Sequence, residues 1–334
     1  MNRSDVEHRV SERLSFRSYI STDEEAALRL LNISLGNLGG QRTVEYWRWK
    51  HLLNPFGESA IRVAHSPAGE MVALRAFLRW RFNLVERSFS AFRCVDTAVH
   101  PEYRGRGLFT AMTLGLIDEL YSGEPAVIFN TPNRQSLPGY LKMGWAMAGK
   151  TQLMVWPQPG QWLWSRFRKL PSIPDLTFDL PSSIQRHISD YADVHRSEVT
   201  SSLSVEYLQW RYGQIPGIRY GVATESGDGF AIAIWRLKST RGLRELRLVE
   251  LFHDYTGAAV HRLIRRLTRE LHPEVVTVVV DGAGILKSLL PSGFLPAAPF
   301  GLSLTLKNLN DPDLYQSFSD PIRRNLSGGT LELF

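Results

Sequence analysis

One glycine-rich segment carries the strongest structural signal in this chain: Pro101-Glu102-Tyr103-Arg104-Gly105-Arg106-Gly107-Leu108-Phe109. A β-like run, residues 92–99, precedes it, and apolar residues with helical spacing continue from Leu108 to Leu120. The segment is therefore predicted to be a turn between a strand and the start of a helix. Such a turn suits a phosphate, because glycines let the backbone approach an anion and the first amides of a helix are unpaired.

The same segment resembles motif A of the GNAT superfamily of acyl-CoA N-acyltransferases, whose pattern is Arg/Gln-x-x-Gly-x-Gly/Ala. Arg104 and Gly107 occupy its first and fourth positions, and Phe109 occupies the sixth, where the family usually has glycine or alanine. The resemblance implies that the pyrophosphate of acetyl-CoA binds here, with Arg104 and Arg106 adding positive charge at the mouth. The residues predicted to bind it are Arg104, Gly105, Arg106, Gly107, Leu108, Phe109 and Thr110.

The order of predicted elements in the first half supports this resemblance. Strands and helices are predicted in the order β-α-α-β-β-β-α-β-α-β, which is the GNAT order, with residues 152–156 as the closing strand. The fold class is therefore predicted to be α+β, with a mixed, mostly antiparallel sheet flanked by helices.

The second half of the chain repeats the first. Residues 204–211 echo residues 43–50 at a constant offset of 161, and Leu290-Pro291-Ser292-Gly293-Phe294 echoes Leu141-Lys142-Met143-Gly144-Trp145. The chain is thus predicted to be two tandem GNAT folds, the second closed by a strand at residues 302–306. The second copy has neither the arginines nor the paired glycines around Tyr255-Thr256-Gly257, and Leu289 stands where the first copy has Tyr140. We therefore expect only the first copy to bind the coenzyme.

The predicted domain boundaries follow from these repeats. They are a catalytic domain at 1–157, a proline-containing linker at 158–183, a degenerate GNAT-like domain at 184–310 and a carboxy-terminal tail at 311–334. An amphipathic, aromatic and basic helix at 161–170 is expected to dock across the junction, with membrane-surface binding as the alternative. The tail is expected to be frayed, although its apolar end could instead pack into a groove.

Two further segments carry the predicted chemistry. Residues 133–145 resemble GNAT motif B, which implies that Asn133 contacts the coenzyme and that Tyr140 donates a proton to its thiol, a role that suits a phenol with a pKa near 10. The resemblance also implies that the backbone at Ala98 and Val99 binds the thioester carbonyl and the pantetheine arm.

The general base is less well defined. The family's usual glutamate position is Arg93 in this chain, which leaves Asp96 as the nearest carboxylate on the predicted strand. Asp96 is accordingly a candidate base, although its position along the strand could point it to the other face. A loop histidine, His100, or an amine that binds in its neutral form are the other interpretations.

Composition limits the classes of function that fit. The formal net charge is +6, but the basic residues are scattered rather than clustered, so nucleic-acid binding is not expected. A single cysteine, Cys94, excludes an internal disulfide and a cysteine-based zinc site, and no metal site is predicted. The sequence has neither an apolar span long enough to cross a membrane nor a signal peptide, so a cytoplasmic protein without stable membrane insertion is expected.

The favoured function is transfer of an acetyl group from acetyl-CoA to a primary amine. The expected acceptor is a small molecule, such as an amino sugar or an amino acid derivative, because a second domain would enclose the acceptor side. An N-acyltransferase that uses acyl-carrier protein, a longer acyl-CoA or aminoacyl-tRNA is the main alternative. A non-catalytic module that only binds acyl-CoA is the third, and the missing glutamate at Arg93 is its best support.

Overall fold

The computed structural model describes residues 14–36, 43–120, 127–167, 176–240, 242–254, 257–282, 284–298 and 300–331. Parts of three predictions lie outside these residues: the end of the amphipathic linker helix at 168–170, the loop residues Tyr255 and Thr256, and the terminal residues 332–334.

Two sheets dominate the described part of the chain. The first-half elements are β1 (Ser15–Ser18), α1 (Glu24–Leu35), α2 (Val44–His51), β2 (Ala60–His65), β3 (Met71–Leu84), β4 (Arg87–Val99), α3 (Leu108–Leu120), β5 (Val127–Asn130), α4 (Leu137–Lys142), β6 (Ala146–Lys150), β7 (Gln152–Pro157) and α5 (Pro159–Phe167). The second-half elements are α6 (Ile184–Val194), β8 (Thr200–Ser201), α7 (Val205–Leu208), β9 (Gly221–Gly227), β10 (Gly229–Thr240), β11 (Leu243–His253), α8 (Ala258–Leu271), β12 (Val275–Asp281), α9 (Gly284–Leu289), β13 (Leu295–Pro296), β14 (Ser303–Asn308), α10 (Pro312–Ser319), β15 (Leu326–Ser327) and α11 (Gly328–Leu331).

The two halves of the chain exchange strands between their sheets. The first sheet has the order β1-β2-β3-β4-β5-β14-β6, with β8 paired to β3, and the second has the order β13-β7-β12-β11-β10-β9, with β15 paired to β12. The late strand β14 therefore lies between β5 and β6, and the early strand β7 lies between β12 and β13. The α+β prediction with two mostly antiparallel sheets is confirmed. The prediction that residues 152–156 and 302–306 close the sheets of their own halves is wrong.

The repeated segment detected in the sequence forms the centre of the interface between the halves. Trp49 Nε1 donates to the carbonyl of Trp210 over 2.6 Å, and Trp210 Nε1 donates to the carbonyl of Trp49 over 2.8 Å. Their rings stack with centroids 5.2 Å apart. Helices α2 and α7 are also capped in the same way: the Thr43 hydroxyl accepts from Tyr46 N, and the Ser204 hydroxyl accepts from Tyr207 N. The two repeated segments, 161 residues apart in the sequence, thus make the same contacts with each other in both directions, which is a local pseudo-twofold relationship.

The tail from residue 311 onward is packed, in contrast to the expected frayed end. Leu326 and Leu331 are buried, and three buried arginines hold the segment. Arg324 pairs with Asp281 on β12 at 2.8 Å, Arg211 donates to Gly329 O at 2.8 Å, and Arg93 donates to the carbonyls of Thr330 and Leu331. The described part of the tail is therefore an integral element that joins the two halves.

The linker helix α5 carries exposed apolar side chains among its described residues. Trp162, Leu163 and Phe167 are exposed, and Phe167 keeps 80% of its surface accessible.

A buried acid beside the tail makes stability depend on pH. Glu250 on β11 accepts a hydrogen bond from the Tyr212 hydroxyl, and burial raises its pKa from 4.5 to about 7. Because the folded state holds this proton more tightly than the unfolded state, the associated stability is present at low pH and is lost as the pH rises through about 7.

We expect Glu250→Gln to remove that dependence. Between about pH 4.5 and pH 8 the free energy of unfolding of the unmodified protein should fall by about 3 kcal/mol more than that of the variant. Urea unfolding at a series of pH values measures the difference. Parallel curves for the two proteins would contradict an ionising Glu250 in the core.

Candidate active site

The glycine-rich segment forms a turn between β4 and the amino terminus of α3. Gly105 and Gly107 have φ values of +75° and +79°, in the left-handed region that favours glycine. A Cβ built on Gly105 would meet no atom within 4 Å, so the loop faces open space. Among the described residues, the amides of 105–110 have no backbone acceptor. The predicted phosphate cradle thus has the form of an anion-binding helix amino terminus.

The two arginines of the cradle brace the loop rather than project from it. Arg104 Nη2 donates to the carbonyl of Ser34 at the end of α1 over 2.7 Å, and its Nε donates to Val99 O over 3.3 Å. Arg106 Nη2 donates to Glu102 O over 3.0 Å, and its guanidinium lies over the Tyr103 ring. In this arrangement an anion would bind mainly to the backbone amides of the loop. The two guanidinium groups, which already donate to backbone carbonyls, would add positive charge nearby.

A cavity of about 530 Å³ adjoins the cradle, where β4 and β5 separate. Among the described residues the two strands pair from Ala91 to Arg93. A bulge in the β3–β4 ladder places Val95 and Asp96 opposite Ala76. The cavity is lined by Cys94, Val95, Thr97, Phe109, Asn130, Thr131, Pro132, Asn133, Gln135, Ser136, Gly139 and Tyr140.

Three of the predicted site residues line this cavity directly: Phe109, Asn133 and Tyr140. Asn133 Oδ1 accepts from the amides of Gln135 and Ser136, which fixes the turn before α4. The predicted Ala98 and Val99 lie farther along β4, paired with Leu74 and Ala73, between the cavity and the cradle. Arg104–Leu108 and Thr110 belong to the adjoining cradle.

The bulky Phe109 at the sixth motif position is matched by a glycine on α4. The Phe109 ring lies edge-on to the Tyr140 ring, with centroids 5.4 Å apart. A Cβ at Gly139 would lie 3.0 Å from the Phe109 ring. The larger side chain at the start of α3 is therefore accommodated by the missing side chain at Gly139, and both rings end up at the cavity wall.

Tyr140 sits at the inner end of the cavity beside a buried arginine that sequence reasoning missed. Arg75 Nη2, from β3, donates to Tyr140 Oη over 2.7 Å, and both side chains are almost fully buried. Burial raises the pKa of the Tyr140 phenol well above its ordinary value, and the positive charge of Arg75 opposes that rise. Tyr140 is therefore protonated at neutral pH, as a proton donor must be.

Asp96 does not have the properties expected of a general base. Lys50 Nζ donates to its carboxylate over 2.6 Å, and His51 Nε2 lies 2.9 Å from the same oxygen. Burial opposes ionisation of Asp96, but Lys50 and His51 outweigh burial and lower the pKa of this carboxyl. Asp96 also does not line the cavity. The structure therefore assigns it to an ion pair between α2 and β4, in correction of the prediction.

Arg93, which replaces the family's usual glutamate, faces the other side of the sheet. Its guanidinium donates to Thr330 O and Leu331 O of the tail and, over 3.2 Å, to Thr131 Oγ1 at the cavity wall. This position therefore links the cavity to the second half of the chain rather than supplying a base.

In the second half the equivalent cleft is filled by the protein itself. β11 and β12 pair from Glu245 to Leu248 and then separate, as β4 and β5 do. Here the tail enters the gap: β15 pairs with β12 at Val280 and Asp281, and a Cβ on Gly328 would lie 3.3 Å from the carbonyl of Val249 on β11. The described part of the second copy thus has no room for a coenzyme arm, in agreement with the prediction of a degenerate copy.

Comparison with known families agrees with this geometry. Residues 15–148 match the model of the acetyltransferase (GNAT) domain. This segment of the chain is therefore similar to a GNAT domain. The matched residues include the cradle, the cavity and Tyr140, so the family resemblance and the site coincide. No curated protein matches the chain by sequence.

Solved structures with a similar fold cover both halves of the chain. A probable N-acyltransferase of unknown function from Enterococcus faecalis aligns with a TM-score of 0.67 and 12% identity, over 89% of this chain and 73% of that one. A GCN5-related N-acetyltransferase from Anabaena variabilis aligns with a TM-score of 0.64 and 16% identity, over the same shares. N-myristoyltransferase from Saccharomyces cerevisiae, with bound myristoyl-CoA, aligns with a TM-score of 0.53 and 12% identity, over 97% and 90%. At these identities the likeness shows the fold.

Two kinds of feature are absent from the described residues. No helix there is both long and apolar enough to span a membrane. No group of three or more histidine, cysteine, aspartate or glutamate side chains there could hold a metal ion.

Proposed function

We propose that this protein transfers an acetyl group from acetyl-CoA to the primary amine of a small molecule. The observation that carries the proposal is the adjacency of three features: an anion-binding helix amino terminus, a free strand edge, and a cavity with a buried phenol in its wall. This sequence of features matches the parts of the coenzyme in order, from diphosphate to pantetheine to thioester.

The residues present fit the coenzyme. The amides of residues 105–110 would hold the diphosphate, because unpaired N–H groups at a helix amino terminus attract anions. Beyond Arg93, the edge of β4 that faces β5 has no strand partner among the described residues. That edge would pair with the amide groups of the pantetheine arm, with a backbone N–H near Ala98 and Val99 donating to the carbonyl oxygen. The Asn133 side chain would contact the arm from the opposite wall.

The chemistry then requires few side chains. Acetyl-CoA supplies the acetyl group as an activated thioester. Tyr140 is the proton donor for the departing sulfur, because it lies at the inner end of the cavity and burial raises its pKa, which keeps its hydroxyl protonated. No ionisable base is needed if the amine binds in its neutral form and releases its proton to water.

The cavity wall has both apolar and polar residues, and its polar residues support a short acyl group. Thr97, Asn130, Thr131, Gln135 and Ser136 contribute hydroxyl and amide groups to its walls. A long hydrocarbon chain would leave such groups without hydrogen bonds and lose free energy. An acetyl group fills the inner end near Tyr140 without that cost.

The second half supports a small acceptor. It packs against the face of the first sheet opposite α3, through the Trp49–Trp210 contact and the Arg93-bound tail. An amino sugar or an amino acid derivative would fit beside these elements more easily than a folded protein.

Gly105→Val tests the cradle. The variant should bind coenzyme A at least about tenfold more weakly, because a branched side chain both strains a φ of +75° and occupies the space where the diphosphate would lie. Isothermal titration with coenzyme A measures the change, and the unmodified protein should show one site per chain.

The matched control is Gly69→Val. Gly69 has a φ of +83° and open space around it, but lies in the turn between β2 and β3. The Gly69→Val variant should have the same backbone strain as Gly105→Val and keep the affinity of the unmodified protein for coenzyme A. Equal affinities for both variants and the unmodified protein, or no heat of binding in any of them, would refute the proposed coenzyme site.

A further inference from the structure

A fully buried arginine, Arg75, lies against the wall of the cavity. The Arg75 side chain has no accessible surface, although an arginine remains protonated in proteins. Among the described residues no carboxylate pairs with it, and its Nε has no hydrogen-bond partner. A buried guanidinium without a carboxylate partner is costly, which is a reason to ask what it does to its neighbours.

The contacts of Arg75 identify that group. Its Nη2 donates to Tyr140 Oη over 2.7 Å, and its Nη1 donates to Val95 O over 3.0 Å and to the Thr97 hydroxyl. The rings of Phe77, Phe109 and Tyr140 surround the guanidinium, with centroids 4.8, 5.6 and 5.6 Å from it. Val95, Thr97, Phe109 and Tyr140 all line the cavity, so every one of these contacts except Phe77 belongs to the site wall.

The contacts of Tyr140 restrict the direction of its phenol proton. Because Tyr140 Oη accepts from a guanidinium, which has no acceptor atom, the hydroxyl hydrogen cannot point at Arg75. It is left to point toward the cavity, where the Cys94 thiol is the other group beside the hydroxyl. The same guanidinium lies against the oxygen that would become negative once the proton has left.

We infer that Arg75 is a positioning residue for acyl transfer: it directs the Tyr140 hydroxyl into the cavity and supplies the counter-charge for the phenolate that proton donation leaves behind. The inference rests on the proposed function and adds a second residue to it. In the step concerned, the O–H bond of Tyr140 breaks and an S–H bond forms on the departing thiolate. The negative charge moves from sulfur to the phenolate oxygen, which later takes back the proton that the amine released to water.

The first measurement needs no substrate. With 3,5-difluorotyrosine in place of Tyr140, the phenol ionises in a range where the protein stays folded, and its absorbance reports the titration. Arg75→Met should raise that phenol pKa by at least about one unit, the equivalent of a tenfold loss of acidity. Arg75→Lys, which keeps the charge but not the forked geometry, should give a smaller rise. Equal phenol pKa values in the Arg75 protein and in both of these variants would overturn the inference.

The second measurement is catalytic. With the natural tyrosine, Arg75→Met should lower kcat at least about tenfold and change the KM for acetyl-CoA less than about threefold. Difluorotyrosine at position 140 should restore most of that kcat, since it makes up for the lost acidity. A loss of kcat that fluorination does not restore would show that Arg75 acts only on the shape of the site.

Arg79→Met is the matched control. Arg79 is on the same strand, and its guanidinium lies over the Phe92 ring, away from Tyr140. It should leave both the phenol titration and kcat unchanged. If the unmodified protein transfers no acetyl group while the titration still shifts in Arg75→Met, the proposed function fails and the Arg75–Tyr140 coupling stands. If the unmodified protein does transfer the acetyl group but the titration does not shift, the coupling alone is refuted.

Discussion

A chain that ends after residue 183 should not bind coenzyme A, although it contains every residue of the proposed coenzyme site. The reason is the strand exchange. β14 supplies the hydrogen bonds on one side of β5 and pairs with β6 from Ser303 to Leu306. Without β14, the fully buried strand β5 becomes a sheet edge and β6 loses its neighbour.

The loss would reach the site through α4, which connects β5 to β6 and carries Tyr140. Lys307 on β14 donates to Met143 O at the end of α4 over 3.0 Å and lies over the Trp145 ring. Removing the strand therefore releases both ends of the segment that forms one wall of the cavity. We expect the fragment to be unfolded or aggregated, with no measurable heat on titration with coenzyme A.

Co-expression of fragments 1–183 and 184–334 provides the control. Each fragment carries the strand that the other sheet needs, β7 in the first and β14 in the second. The pair should assemble and recover coenzyme binding close to that of the intact chain. A fragment 1–183 that binds the coenzyme alone, with the affinity of the whole protein, would show that the exchange is not required for the site.

The elements that the sequence predicts well are those determined by local chemistry. The cradle follows from glycines at positions that need a positive φ, and the repeat follows from residues that cap and stack in the same way in both halves, as Trp49 and Trp210 do. Phe109, Asn133 and Tyr140 were also predicted, and the structure brings them to one cavity.

The strand exchange could not be predicted, because an alternating apolar pattern fits either sheet equally well. Residues 152–157 and 303–308 have the composition of a closing strand in both cases, and only the tertiary pairing decides which sheet each enters. The tail was misjudged for a related reason. Its small and polar residues look like those of a free end, but Arg93 and Arg211 bind its backbone carbonyls, which composition does not reveal.

The interpretation of Asp96 as a general base and the failure to predict Arg75 as a site residue have one cause. The bulge in β4 changes which side chains face the cavity, and it cannot be seen from alternation along the strand. Asp96 consequently turns to Lys50 and His51. Arg75 did leave a signal, since a charged residue interrupts the apolar run from Met71 to Leu78. A buried charge in such a run is a reason to look for a functional neighbour.

Tyr140→Phe should lower kcat by about 10²- to 10⁴-fold, the usual contribution of a positioned proton donor. The change removes one oxygen atom and leaves the ring contacts with Phe109 and Trp145 in place. The KM for acetyl-CoA and the affinity for coenzyme A should therefore change little. Steady-state kinetics at saturating amine, with titration calorimetry alongside, separates the two effects.

Tyr103→Phe is the matched control for a lost hydroxyl near the cradle, and it should keep kcat within about threefold of that of the unmodified protein.

The pH profile of kcat supplies an independent check. Because burial raises the pKa of Tyr140, the unmodified enzyme should show no alkaline loss of kcat up to about pH 9, whereas a donor with an ordinary phenol pKa would begin to fail near that value. Full activity in Tyr140→Phe would mean that the departing thiolate takes its proton from water, and that the buried Arg75–Tyr140 pair serves the shape of the cavity alone.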